Sequence, residues 1–335
     1  MKQILTRKRG TIATTAALLL AATTALTPLL GTARAATTPV TFAMSAWIGF
    51  APLFVASQEK FFGAYPLKFV HMDSGINAAV ISGAADSADL SMNQVISDHL
   101  KGFDIKIVMP IDYSNGADAI VASKSITAIA DLRGKTIPLD TTSYSELLLA
   151  YALHQAKLSL ADVRPTNMPA SAVPAALLGG HAEAGVTWAP HIQLITANPK
   201  YHALFTSAQA PGLITDNFAV KTSFLKAHPG AIPAIIKGFL KGTAYIKSHP
   251  AQSYAIIGKA LGISPADARA QYAEVINPSL AEMKYMMTGK GNLKIIPYKT
   301  NVTMVRQLMI TQGQIKPSQK IAEPSLFDTK FVTAE

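Results

Sequence analysis

Asp140-Thr141-Thr142-Ser143 stands directly before a run of leucine and alanine that ends at Leu153, so three consecutive hydroxyl residues sit at the entrance of a predicted helix. A helix start leaves backbone N–H groups without intrahelical partners and carries partial positive charge. It can therefore hold a negative or oxygen-rich ligand group with no help from lysine or arginine. Ser143-x-x-Glu146 equally fits a capping box, in which the two side chains satisfy those donors themselves. These residues leave both readings open.

Trp47 and Trp188, the chain's two tryptophans, each fall where a predicted strand gives way to a loop before a helix, at SAWIGFAP and VTWAP. Aromatic faces at strand ends can close over the apolar body or the cationic group of a ligand, although core or rim packing is the ordinary use of tryptophan. The segment DYSNGADA gathers Asp112, Ser114, Asn115 and Asp118, whose polar groups could orient a ligand or simply make a turn. Asn93 and Gln94 follow the strand-like DLSM and read as a helix start or as another wall of the same site.

Other chemistries find few residues. The eight histidines show no HExxH pair or other zinc spacing, and no metal or other cofactor is expected. No G-x-S-x-G elbow, Walker loop or G-x-G-x-x-G stands at a strand-to-helix junction, so catalysis lacks candidates. With no cysteine, disulfides, thiolate metal sites and a cysteine nucleophile are excluded together.

The elements that must position these residues alternate. VTFAMS, PLKFVHM, SADLSM and DIKIVMPI read as strands separated by helices, and a second series runs from AIVAS through KTIPL, VRPTNM and EAGVTW to HALFTSA, with a helix expected at ITAIADLRG. Such alternation argues for βαβ units around mainly parallel sheets. After NFAV the chain turns almost wholly helical. The expected fold is α/β, with two doubly wound lobes joined by a hinge and a helical tail packed on lobe one. Lobe one takes residues 36–117, lobe two 118–216, and 217–335 return to lobe one. A cleft between such lobes is a preferred small-molecule site.

Residues 1–35 read as an export signal: Lys2, Arg7, Lys8 and Arg9 precede an apolar stretch, and Ala33-Arg34-Ala35 offers a cleavage site after Ala35. This leader carries five basic residues and no acid, so its removal lowers the formal charge from +10 to +5. The remaining lysines are scattered without interleaved aromatics, and no nucleic-acid partner is expected. No later segment reaches the roughly 18 apolar residues of a second span.

The order of three segments resembles the nitrate, sulfonate and taurine class of substrate-binding proteins of ABC importers: AWIGFAPLFVASQEKFF, then ITAIADLRGKTIPLDTTSYSELLLAYALHQAKLSLADV, then GGHAEAGVTWAPH. Phe61 stands where that class usually has glycine. The resemblance implies the type II periplasmic binding protein fold and a periplasmic monomer that is not an enzyme. Such a protein delivers a small-molecule ligand to a membrane permease with a cytoplasmic ATPase. It implies ligand contacts from Trp47, Asn93, Gln94, Ser114, Asn115, Thr142, Ser143 and Trp188. A binder of the thiamine pyrimidine precursor, or the synthase-like enzyme of the same fold, is the alternative, although that enzyme's cysteine-rich motif cannot exist here. Arg133, Arg164, Arg269 and Arg306 lie away from the site segments while Asp112, Asp118 and Glu146 lie near them. A taurine-like zwitterion or a small nitrogenous solute therefore suits better than a bare oxyanion.

Overall fold

The computed structural model describes residues 37–72, 75–141 and 143–334. The leader, its cleavage point and Thr142 lie outside them. Most strands form where β-branched and aromatic residues cluster, although β3 is the small Ser-Ala-Asp: β1 Val40–Met44, β2 Leu67–His71, β3 Ser87–Asp89, β4 Ile105–Ser114, β5 Asp118–Ser123 and β6 Thr136–Leu139. Then come β7 Arg164–Asn167, β8 Ala184–Trp188, β9 Tyr201–Thr206, β10 Thr215–Lys221 and β11 Val275–Ile276. The first helices are α1 Ala51–Gln58, α2 Ile76–Ser82, α3 Met92–Leu100, α4 Tyr144–Gln155, α5 Val173–Leu178 and α6 His191–Thr196. The helical tail holds α7 Thr222–Ala227, α8 Ala231–Ser248, α9 Pro250–Leu261, α10 Pro265–Tyr272, α11 Leu280–Thr288 and α12 Tyr298–Thr311.

One sheet has the order β11-β4-β10-β3-β1-β2, a second β8-β5-β9, and β6 pairs with β7 alone. The expectation of mainly parallel sheets needs correction. β1 runs parallel to β2 and β3, but β10 is antiparallel to both β3 and β4, and the β8-β5-β9 sheet is antiparallel throughout. The reason is the path of the chain. β4 leaves the large sheet toward β5, and β10 comes back beside it, so the two must run in opposite senses. A second correction concerns ITAIADLRG, which makes only a single turn over Ile129–Leu132. The Asp131 carboxylate takes the N–H groups of Thr127 and Ala128 at 3.0 and 2.9 Å, which closes the turn locally.

The core of the large sheet is aromatic. Phe42 of β1 and Phe218 of β10 stack across the small residues of β3, with ring centroids 4.7 Å apart and planes 9° from parallel. The helical tail covers this sheet: α8 packs on α1, and α12 lies against α3. α8 approaches closely because Gly242 has no side chain, since a Cβ there would stand 2.3 Å from the carbonyl oxygen of Pro52. No helix among the described residues is long and apolar enough to cross a membrane.

Candidate functional site

A cleft of about 450 Å³ opens where β1, β3 and β10 of the large sheet meet β5, β8 and the start of α4. Trp47, Gln94, Ser143 and Trp188 line it, so four of the eight expected contacts come together from four separate parts of the chain. Trp47 follows β1 and Trp188 ends β8, the strand-end positions expected of them.

The helix entrance behaves differently from a capping box. Ser143 caps α4 by accepting the N–H of Ser145 at 3.2 Å, while its own hydroxyl donates to the carbonyl of Asp140 at 3.0 Å. Glu146 does not reach back to it: that carboxyl is buried, with Gln312 as its hydrogen-bond partner, and burial raises its pKa. A capping box forms instead at α3, where Gln94 Oε1 accepts both the N–H and the hydroxyl of Ser91 at 2.9 Å. Gln94 is therefore a cap and a cleft wall at once.

Three expected contacts stand elsewhere. Asn93 faces a small separate cavity beside α12. Ser114 is 1% exposed and shares a hydrogen bond with the Ser207 hydroxyl at 2.7 Å, while Ser207 Oγ also accepts the N–H of Gly116 at 2.8 Å. Asn115 lies in the turn after β4 and donates its backbone N–H to the carbonyl of Glu274 at 2.9 Å. Ser114 and Asn115 thus serve to hold the chain where it passes between the sheets.

The sequence places Asp112 and Asp118 near the site, but it does not mark Asp89 and Asp216, which complete an acid wall. Asp89, Asp118 and Asp216 line the cleft. Asp112 and Asp216 are register partners on β4 and β10, and Asp118 is the register partner of Trp188 on β5 and β8. Asp112 Oδ2 accepts the indole N–H of Trp47 at 3.2 Å. Burial is the main cause that pushes each of these carboxyls up, to about 7 for Asp118 and about 6 for Asp216. Asp112 and Asp89 rise well above the ordinary carboxylate range, first through burial and then through the neighbouring charge of Asp216. Against this, the N–H of Asn217 donates to Asp89 Oδ1 at 3.0 Å. Asn217 is itself held by Tyr298, whose hydroxyl donates to its Oδ1. Besides the amide of Gln94, the described residues lining the cleft are acidic, hydroxylic, aromatic and apolar, with no lysine, arginine or histidine among them. Such a surface offers a ligand hydrogen-bonding groups and aromatic faces, and it repels anions to the extent that its carboxyls are ionised.

Comparisons with known proteins agree with this architecture. A putative aliphatic sulfonates-binding protein of Escherichia coli is 27% identical over 199 residues, 55% of this chain and 60% of that protein's length. The crystal structure of the periplasmic aliphatic sulphonate binding protein SsuA from Escherichia coli superposes with a TM-score of 0.69 at 17% identity, covering 89% of this chain and 100% of that one. The periplasmic nitrate-binding protein NrtA from Synechocystis gives a TM-score of 0.66 at 12% identity over 89% of this chain and 88% of that one. At these identities the two structures establish a shared periplasmic binding protein fold, the α/β architecture expected from the sequence. The NMT1/THI5-like profile matches residues 47–253, well over half of the sequence, and the chain belongs to the NMT1/THI5-like family.

Proposed function

We propose that this protein is the extracytoplasmic solute-binding component of an ABC importer, and that its cleft takes a small polar solute without transforming it. The observation that carries this reading is the composition of the cleft wall. Trp47 and Gln94 reach it from the large sheet and its helices, and Ser143 and Trp188 from the segments around the second sheet, so a bound solute touches both. In this reading residues 36–117 and 217–335 form one lobe and residues 118–216 the other. Ligand shifts the population toward the closed arrangement because only there are both walls in contact with it. The binding proteins to which the chain is similar support the assignment, as does the export-signal pattern of residues 1–35. Periplasmic location, monomeric state and delivery to a permease with its ATPase belong to the same proposal.

Within the solutes handled by such importers, the acid wall favours a nitrogenous compound over a sulfonate or nitrate. Calorimetric titration with taurine, alkanesulfonates, nitrate and urea tests the choice. Tight binding of nitrate alone removes the nitrogenous reading. Uptake of radiolabelled solute by the native cells, lost when this gene is deleted and restored when it is returned, tests the importer role.

A further inference from the structure

The acids of the cleft have no positive partner. The ion pairs of the described residues lie elsewhere, at Arg133–Asp162, Lys135–Glu183 and Lys330–Asp328. Asp112 is fully buried behind Trp47 and Asp216, both of which line the cleft, and its raised pKa goes with a hydrogen bond in which the protonated Asp112 donates to Asp216. The negative charge of this pair stands on Asp216, and removing a charge from water is repaid only by a well-placed opposite charge. No three of the histidine, aspartate and glutamate residues described come close enough to hold a metal ion. Asp118 stands on β5 and Asp216 on β10, in different sheets, so a point charge cannot serve both as well as an extended group with several N–H donors. Trp47 and Trp188 add aromatic faces, which attract flat cations through the ring quadrupole.

Taking the cleft as the solute site, we infer that its ligand is a small organic cation whose charge is spread over a flat, N–H-bearing group of the amidinium or guanidinium class. That group donates to Asp118 on one side and Asp216 on the other and lies against the indoles of Trp47 and Trp188. The pairing is strongest when both carboxyls are ionised, and a flat delocalised cation sheds its water more readily than a compact ammonium.

The test titrates the mature chain calorimetrically at about pH 7.5 with benzamidinium and methylguanidinium as cations and with ethanesulfonate and nitrate as anions, alongside mass spectrometry of solutes released from natively purified protein. A cation should bind at least about tenfold more tightly than either anion. Asp118→Asn and Asp216→Asn should each weaken it by about tenfold or more. Both substitutions keep the shape of the neutral acid, and circular dichroism checks that the variants fold. Tighter binding of ethanesulfonate or nitrate overturns the cationic ligand while leaving a solute binder. So does cation binding that survives both substitutions unchanged. Where no probe binds, a released solute carrying positive charge supports the inference, and a neutral or anionic one overturns it while the importer reading stands. Neither a bound probe nor a released solute overturns both.

Discussion

The indole N–H of Trp47 donates to Oδ2 of Asp112 at 3.2 Å, and residue 49 is what lets the two meet. A Cβ at Gly49 would stand 1.8 Å from that oxygen and 2.5 Å from the indole nitrogen. Asp112 is short and fully buried, so it has nowhere to swing. Gly49→Ala should therefore displace Trp47 from the cleft wall and destabilise the fold by about 1–3 kcal/mol, as overpacking does. Thermal unfolding and ligand titration of the variant check this, and a melting temperature and affinity both equal to wild type would refute it.

Stability of the ligand-free protein should fall as pH rises. Asp118 stays protonated in the folded chain up to about 7, whereas its unfolded counterpart ionises near 3.9. Between those values the folded chain holds an extra proton, so the slope is negative, about 1.4 kcal/mol per pH unit for each such group. Asp216 adds its share up to about 6, and above about 7 both contributions level off. Asp118→Asn should remove the part of the slope contributed by residue 118. The difference in melting temperature between wild type and Asp118→Asn, followed from about pH 5 to 8, isolates it, because the other titrating groups cancel. A difference that does not change with pH contradicts the assignment.

Both tryptophans of the chain line the cleft, so intrinsic fluorescence should report ligand directly. Trp188→Ala should weaken binding by about tenfold, the worth of about 1.4 kcal/mol of aromatic contact, with little change in melting temperature because Trp188 is only partly buried. Trp47→Phe keeps an aromatic face but loses the donor to Asp112, and its loss of affinity should be smaller. Equal affinity in Trp188→Ala and wild type would place the ligand elsewhere.

Asn217 is fully buried and ties β10 to its surroundings. Its Nδ2 donates to the carbonyls of Leu90 and Thr215 at 2.9 and 3.0 Å, and its Oδ1 accepts from Tyr298. Asn217→Ala removes a partner from the Leu90 carbonyl and the Tyr298 hydroxyl, while the Thr215 carbonyl keeps the Tyr144 hydroxyl, and should cost about 2–4 kcal/mol by urea unfolding. Tyr298→Phe, which removes one bond only, should cost less. Equal costs would show that the Tyr298 bond carries the whole effect.

The order of strands and helices was legible because local patterns write it: VTFAMS and PLKFVHM have the strand residues, and Gly and Pro punctuate the rest. The direction of β10 was not, because it depends on where the chain comes back from rather than on its own residues. The cleft residues divide in the same way. Trp47, Gln94, Ser143 and Trp188 sit at strand ends and helix starts, positions that sequence periodicity marks. Asp216 sits in LITDNFAV, just before the strand-like NFAV and outside the segments whose pattern marks a site, and only the β4–β10 register sets it opposite Asp112. DYSN read as a turn for a related reason: Tyr113 and Ser114 remain in β4 because β10 and β11 pair with that strand from either side, partners remote in sequence.

Ser207 makes the two passages between the sheets act as one piece. Its hydroxyl is bonded to Ser114 on the outgoing passage, and β4 and β10 continue from that knot as a paired ladder. A laddered ribbon flexes easily out of its plane and resists sliding of one strand past the other, as a leaf spring does. On the two-lobe reading proposed above, this joint confines opening and shutting to a single swing rather than a loose tumble and leaves little orientational freedom to surrender when a solute arrives.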